Sequence, residues 1–442
     1  MESRRSSLEH DSDSGPSRQG SIRLLLSLHL PAVVMGLGTG GTAIVIPEIA
    51  KSFEVGIGVA ALLFISQTLG GTAAPLPTGL MVDKFGRRKV LLAGPVVMAV
   101  AAMLTARAVA YGSFEEMVAY RFVAGWGMQM WMVSRITVIA DSASASTRGR
   151  QITSMFGVQR VGALGGPVIG GFLAVTIGLW APFVLQGVMA LISIIPSYFM
   201  LRETLPALGG QGQRSRPNGD GTAGILPWRA FLTRPILALF TVQYLTNVTR
   251  GGVQNGSVLM LFAAYAYDTD PLQLGFLRGA MAPAGIPFTF LAGYVMDRFG
   301  RKWSIVPGQS IMFLSMAFLA TTWYASLPFS VFVVGFAMSH LSISMLSGNM
   351  QTMGADIAPP GARGRFFGAS RLVSESGSLT SPTSFSILAE LASYGAPFVL
   401  FAGTSFAAAV VTVFVIKETL RREPKETHPP EAKEEAAAEG RT

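Results

Sequence analysis

Seven charged side chains fall inside long apolar stretches of this 442-residue chain: Arg121, Arg135, Arg160, Arg250, Arg278, Arg371 and Glu375. A charge near the centre of a bilayer costs roughly 3 kcal/mol, so such residues face a cavity or a partner and mark substrate or proton paths. Six of the seven are cationic, which suits recognition of a negative group and disfavours binding of a small cation. Glu375 is the one carboxyl among them, and a carboxyl can take up and release a proton. Arg160 and Glu375 stand 215 positions apart, each about ten residues, or ~15 Å, inside its apolar stretch. Arg121, Gly125, Met128, Met132 and Arg135 recur at helical spacing on one face. Gln243, Asn247, Arg250 and Gln254 form a polar stripe at spacings of four, three and four, interrupted by Gly251-Gly252, as a cavity-lining helix with a weak point would. His340 heads a weaker stripe with Ser344 and Ser347.

Other chemistry is poorly served. The chain has no cysteine, and His10, His29, His340 and His428 lie far apart, so neither a thiolate nucleophile nor a metal site is expected. No nucleophile–base arrangement and no GxxxxGK[ST] loop is visible, which argues against an enzyme, a bound cofactor or nucleotide drive.

The elements that position these groups follow from composition. Half of the residues are hydrophobic, 13% are charged and the mean hydropathy is +0.46, whereas soluble domains carry about 25% charged residues. A hydrocarbon core of ~30 Å takes about 20 apolar residues to cross. Twelve such segments are expected, at about 22–49, 56–82, 90–110, 115–140, 151–177, 182–202, 235–265, 272–296, 303–324, 328–350, 365–392 and 396–416. Lys and Arg gather in alternate loops (Lys84 to Lys89, Arg148 and Arg150, Arg298 to Lys302, Arg363 and Arg365), and the intervening loops hold Lys51, Glu115, Glu116, Asp268 and Asp270. This asymmetry predicts both termini on the cytoplasmic side of the plasma (inner) membrane. The formal charge of +9 is thereby explained by orientation, without a nucleic-acid partner.

The chain is a six-helix unit written twice. GLMVDKFGRRK at 79–89 returns as GYVMDRFGRK at 293–302, ADSASASTRGR at 140–150 as ADIAPPGARGR at 355–365, and RETL at 202–205 as KETL at 417–420. Parallel repeats of this kind build transporters with a substrate site between the halves. The expected divisions are a disordered cytoplasmic tail at 1–21, an N-terminal half at 22–205, a flexible cytoplasmic linker at 206–233, a C-terminal half at 234–422 and a second tail at 423–442.

These motifs resemble those of the major facilitator superfamily over about 22–422. GLMVDKFGRRK and its copy look like motif A, with Gly79, Asp83, Gly86, Arg87 and Arg88 matched by Gly293, Asp297, Gly300 and Arg301. YRFVAGWG, with Arg121 and Gly125, looks like motif B; GALGGPVIGG, with Gly162, Gly166, Pro167, Gly170 and Gly171, looks like motif C of the drug:proton antiporter branch. Motif C usually carries a further glycine nine residues before Gly162, where this chain has Thr153. The resemblance implies an all-α membrane protein of twelve transmembrane helices in two pseudo-repeats. It implies that motif A gates the halves, that Arg121 assists proton transfer and that motif C seals the bundle. Gly79 and Gly293 are expected to let a helix end approach its neighbour closely, and Arg87 and Arg301 to bond carboxylates or free carbonyls. The expected function is alternating-access, proton-coupled efflux of small amphiphilic molecules, anionic ones included, or drugs by a monomer in the lipid bilayer. An importer of an organic anion is the alternative within the class; a transporter-like sensor or a lipid scramblase is the alternative outside it.

Overall fold

A computed structural model of the chain describes residues 18–142, 145–200, 233–254, 257–359, 363–416 and 418. The linker and both tails named above lie outside these residues, apart from short flanking stretches. The described residues are helical throughout, with no strand among them. In the first half, α1 (Arg18–Gly40) and α2 (Ile46–Ser52) form the first passage, and α3 (Ile57–Ala60), α4 (Leu62–Ala73) and α5 (Pro75–Phe85) the second. Single helices follow: α6 (Arg87–Tyr111), α7 (Phe114–Ser142), α8 (Ala145–Thr176) and α9 (Ala181–Met200). In the second half α10 (Arg234–Gln254) and α11 (Ser257–Tyr267) share the seventh passage, then come α12 (Pro271–Arg298) and α13 (Lys302–Tyr324). The tenth passage divides into α14 (Phe329–Met345) and α15 (Asn349–Ile357), and α16 (Arg363–Leu391) and α17 (Ala396–Phe414) complete the twelve.

Four passages that the sequence suggested as single runs are therefore broken, the second at Ala61 and before Pro75 and the other three at glycine. α1 stops at Gly40 in the run GLGTGGT, α10 ends two residues beyond Gly251-Gly252, and α15 starts after Gly348 at φ 82°. Glycine keeps the widest backbone freedom and gains least from helix. Other boundaries have equally local causes. The Asp270 side chain accepts the Gln273 N–H at 2.8 Å with Pro271 in the first turn, so α12 begins there. α6 ends at Gly112, whose φ of 75° is the left-handed stop.

Length and apolarity alone mark only six membrane-crossing helices among the described residues, including 57–82, 87–111 and 396–414. The remaining passages are broken, or carry the buried charges and polar stripes that lower their hydropathy. Those are the passages that hold the candidate site.

The burial pattern places the two halves relative to each other. One hydrophobic core joins them at the end bearing Lys51 and Asp268, with Ile44, Ile57 and Phe64 of the first half and Phe262, Phe385 and Phe398 of the second in one cluster. Toward the basic loops the cores are separate: Met35, Trp131 and Ile139 belong to the first half alone, Leu239, Met353 and Phe366 to the second alone. The molecule is closed at its acidic end and open between the halves at its basic end.

Candidate functional site

Motif A is a backbone device at its turn. Gly86 sits at φ 98° and ψ 152°, a region open essentially to glycine, and Gly300 at φ 119°. In the second copy the bend presents two N–H groups to one carboxylate: Arg301 N and Lys302 N donate to Glu418 Oε1 and Oε2 at 2.9 and 3.1 Å. The Arg301 guanidinium reaches Asp356 Oδ2 at 3.3 Å and the Met296 carbonyl at 3.2 Å. Lys302 Nζ donates to the Val413 carbonyl at 2.8 Å. The loop thus fastens the basic ends of α12, α13, α15 and α17 into one unit. In the first copy Arg88 donates to the Tyr198 carbonyl at 2.7 Å and lies over the Tyr198 ring at 5.2 Å. Replacing Gly300 with alanine forces a side chain into a glycine-only conformation and against the Glu418 carboxylate. It is expected to cost about 1–3 kcal/mol, visible as a lower melting temperature of the detergent-solubilised protein, and a thermal-shift assay checks it.

One expectation for motif A needs correction. Gly79 and Gly293 have no atom within 4 Å of the position a Cβ would take. Each stands in open space, so no neighbour is there to be approached in this conformation. Asp83 lies in α5 and Asp297 in α12; their side chains lie outside the described residues.

Motif C does two things with two faces of α8. Gly162 and Gly166 press on α1, at Val33 and at Leu37 and Gly40, and Gly170 on Gly41 just past its end, so closely that any side chain would enter that backbone. Across the boundary between halves, a Cβ on Gly171 would stand 2.6 Å from the Pro271 carbonyl, and Gly275 of α12 lies against the Pro167 carbonyl. The second half keeps only Gly377 and Pro382 of this scheme. Gly377 packs on α10 at Tyr244 and Asn247, but Ser381 stands in place of Gly166, and its hydroxyl accepts the Gly252 N–H at 2.9 Å. A hydrogen bond thus secures the seventh passage where its helix breaks.

Motif B builds a buried cation. Gly125 lets the Gln67 backbone lie directly on α7, which brings the Gln67 side chain to Arg121 one turn away. Arg121, 2% exposed, donates through Nη2 to Gln67 Oε1 and through Nε to the Leu63 carbonyl at 3.4 Å, with the Phe183 ring at 6.0 Å. Its Nη1 has no hydrogen-bond partner, and no carboxylate pairs with it among the described residues. Arg135, equally buried, lies on the Trp131 ring at 4.0 Å.

The remaining candidates divide. Glu375 accepts from Arg371 at 2.7 Å on its own helix, with Arg371 62% exposed and Glu375 24%. Gln243 takes Ser370 and donates to Ser374 of α16 at 2.9 and 2.6 Å, and Asn247 donates back to the Gln243 carbonyl. Gln243 thus holds α10 to α16, while Asn247 bonds within α10 and Arg250 is partly exposed on it. A pocket of about 440 Å3 lies between the same helices, lined in part by Phe240, Tyr244 and Leu372. His340 is tied through Nδ1 to the Phe336 carbonyl at 3.1 Å and rests on the Phe336 ring at 4.3 Å. The side chains of Arg160 and Gln254 lie outside the described residues.

Sequence reasoning passed over Gln67, Asp356 and Glu418. Two of these had a signal: the repeated ADxA and [RK]ETL segments carry Asp356 and Glu418, and repeat alone marked them as more than loop.

Comparison with known proteins agrees with this architecture. The Major Facilitator Superfamily profile matches residues 29–258 and 246–440. The tetracycline resistance protein, class B, of Escherichia coli is 26% identical over 315 residues, 68% of this chain and 73% of that protein. The multidrug resistance protein MdtL of Klebsiella pneumoniae is 23% identical over 55% of this chain, which spans 59% of that relative's length. Citrate exporter 1 of Aspergillus niger is 26% identical over 47% of this chain and 40% of its own. Among solved structures, a bacterial homologue of the iron transporter ferroportin in an inward-facing state superposes with a TM-score of 0.70 at 18% identity, covering 89% of this chain and 98% of that one. A D-xylose–proton symporter gives the same score at 17% identity. With twelve helical passages in two repeats, duplicated motif A turns and a profile match along nearly its whole length, the chain belongs to the Major Facilitator Superfamily and is an integral membrane transporter.

Proposed function

We propose that this transporter exports amphiphilic small molecules bearing a negative group, in exchange for protons. The observation that carries the proposal is Arg121, a guanidinium buried between neutral partners. A buried cation is held at a cost unless a negative group compensates it during function. Related proteins named for tetracycline resistance, multidrug resistance and citrate export support the outward direction, and the last couples export with a carboxylate.

The cycle follows from the geometry. With the basic end cytoplasmic, the open gap between the halves admits cargo from inside or from the inner leaflet. Closing that gap brings the Gly79 and Gly293 faces against the opposite half while the fused cores at the acidic end part. Glu375 is the coupling acid of this reading: protonation removes its charge and releases Arg371 from the pair one turn away. The working unit is a monomer.

The test is transport into inverted membrane vesicles with an anionic, a neutral and a cationic amphiphile of matched size. Preference for the anionic compound, lost on Arg121→Gln, supports the reading. Preference for the cationic one rejects it.

A further inference from the structure

The seal at the acidic end is made of unlike bonds, and one of them is a carboxylate on backbone. Gly58 N, at the start of the second passage, donates to Glu390 Oε2 at 3.2 Å, and the Gly58 carbonyl accepts from Ser386 Oγ at 2.7 Å. Both partners stand on the last turns of α16, in the opposite half. A Cβ at Gly58 would lie 2.8 Å from the Ser386 backbone carbonyl, so the close approach requires glycine. Beside this contact Tyr265 donates to the Val55 carbonyl at 2.8 Å, and Lys51 pairs with Asp268 across the halves and with Glu48 at 3.7 Å on its own helix.

We infer that Glu390 is a proton-sensitive positioning residue for the outer gate: its carboxylate holds the acidic end shut, and proton uptake from that side releases it. A charged acceptor bonds an N–H about twice as strongly as a neutral one, and this acceptor is exposed, so protons reach it from solvent while the gate is closed. The bond joins the two halves, so its strength counts only in the closed state, and weakening it shifts the population toward opening. Tyr265 of α11 is the shared titratable neighbour: Glu390, Tyr394 after α16 and Glu48 of α2 all act electrostatically on its phenol, and Lys51 of α2 pairs with Glu48 and Asp268. The second lock responds differently: Lys51 holds the Asp268 carboxyl below its usual range, chiefly through their hydrogen bond. A carboxyl whose folded pKa is depressed stabilises above its ordinary pKa and loses that contribution only as pH falls through the lowered value. The Lys51–Asp268 pair therefore outlasts mild acidification.

The inference rests on the proton-driven reading for its purpose but not for its measurement. The chain lacks cysteine, so Tyr111→Cys and Leu391→Cys, at highly exposed positions of opposite halves, place a unique pair of spin labels across the gate. Double electron–electron resonance of the full chain in lipid nanodiscs then gives the ratio of open to closed gate as a function of pH. In the otherwise wild-type protein that ratio is expected to rise as pH falls. Glu390→Gln raises it about fivefold at neutral pH, a loss of ~1 kcal/mol, and flattens its pH dependence. Lys51→Met raises the ratio but leaves the pH step in place. A step that persists in Glu390→Gln, or is absent from the wild type, overturns the inference. Transfer of the step to Glu375→Gln would also overturn it, without touching the export reading. Substrate-driven proton flux, measured separately, judges that reading whichever way the gate behaves.

Discussion

Gly170→Leu is expected to destroy the protein's integrity, while Gly79→Leu leaves its stability intact and stops its cycle. Gly170 lies against Gly41 with the α1 and α8 backbones in contact, so four added carbons must push two buried helices apart. Overpacking of this kind costs about 3 kcal/mol or more where backbone, not a side chain, is the obstacle. Loss of the monodisperse peak on size-exclusion chromatography and a collapsed melting transition would follow. The same substitution at Gly79 enters open space, and a surface change away from such features stays within ~0.5 kcal/mol. Transport nevertheless fails, because closing the basic end would bring that face against the opposite half. Thermal shift and uptake measured on the same two preparations separate the outcomes. Normal transport by Gly79→Leu would show that the halves never meet there.

The second large effect concerns Arg121. Its replacement by glutamine removes a buried cation whose partners are an amide, a carbonyl and a ring. Replacing buried charges by neutral groups of similar size is often neutral or stabilising, because the desolvation penalty disappears. Arg121→Gln should therefore keep or raise the melting temperature while uptake of an anionic amphiphile falls about 100-fold, the factor that ~2.7 kcal/mol of lost charge-assisted binding gives. A large drop in stability with transport retained would instead make Arg121 a structural strut.

Much of this architecture is legible in the residues themselves. Twelve apolar segments, the offset repeat and the alternation of basic loops each follow from a single physical demand, and the comparisons with known proteins agree with the fold they imply. The breaks were less accessible. Gly251-Gly252 was readable as a weak point, yet the run through Gly40 and the stop at Gly348 needed coordinates, since glycine is common in membrane helices for packing as well as for bending. Packing partners were hidden for a stronger reason. The bare face of Gly162, Gly166 and Gly170 was evident from spacing, but its partner α1, and the separate role of Gly171 across the halves, depend on how helices assemble. Arg121 was visible as a buried charge; Gln67 was not visible as its partner, because one amide in an apolar span carries no spacing signal. Gly79 and Gly293 show a further gap. Sequence describes every state of a cycle at once, and a single conformation shows the contacts of one.

The measurement that bears most directly on the central claim is proton movement in proteoliposomes holding the purified protein and an imposed pH gradient. Addition of an anionic amphiphile is expected to dissipate the gradient in the wild type. In Glu375→Gln the dissipation should be lost while binding of the same compound persists. Substrate movement without proton movement, or a Glu375→Gln variant that couples as the wild type does, would contradict the account.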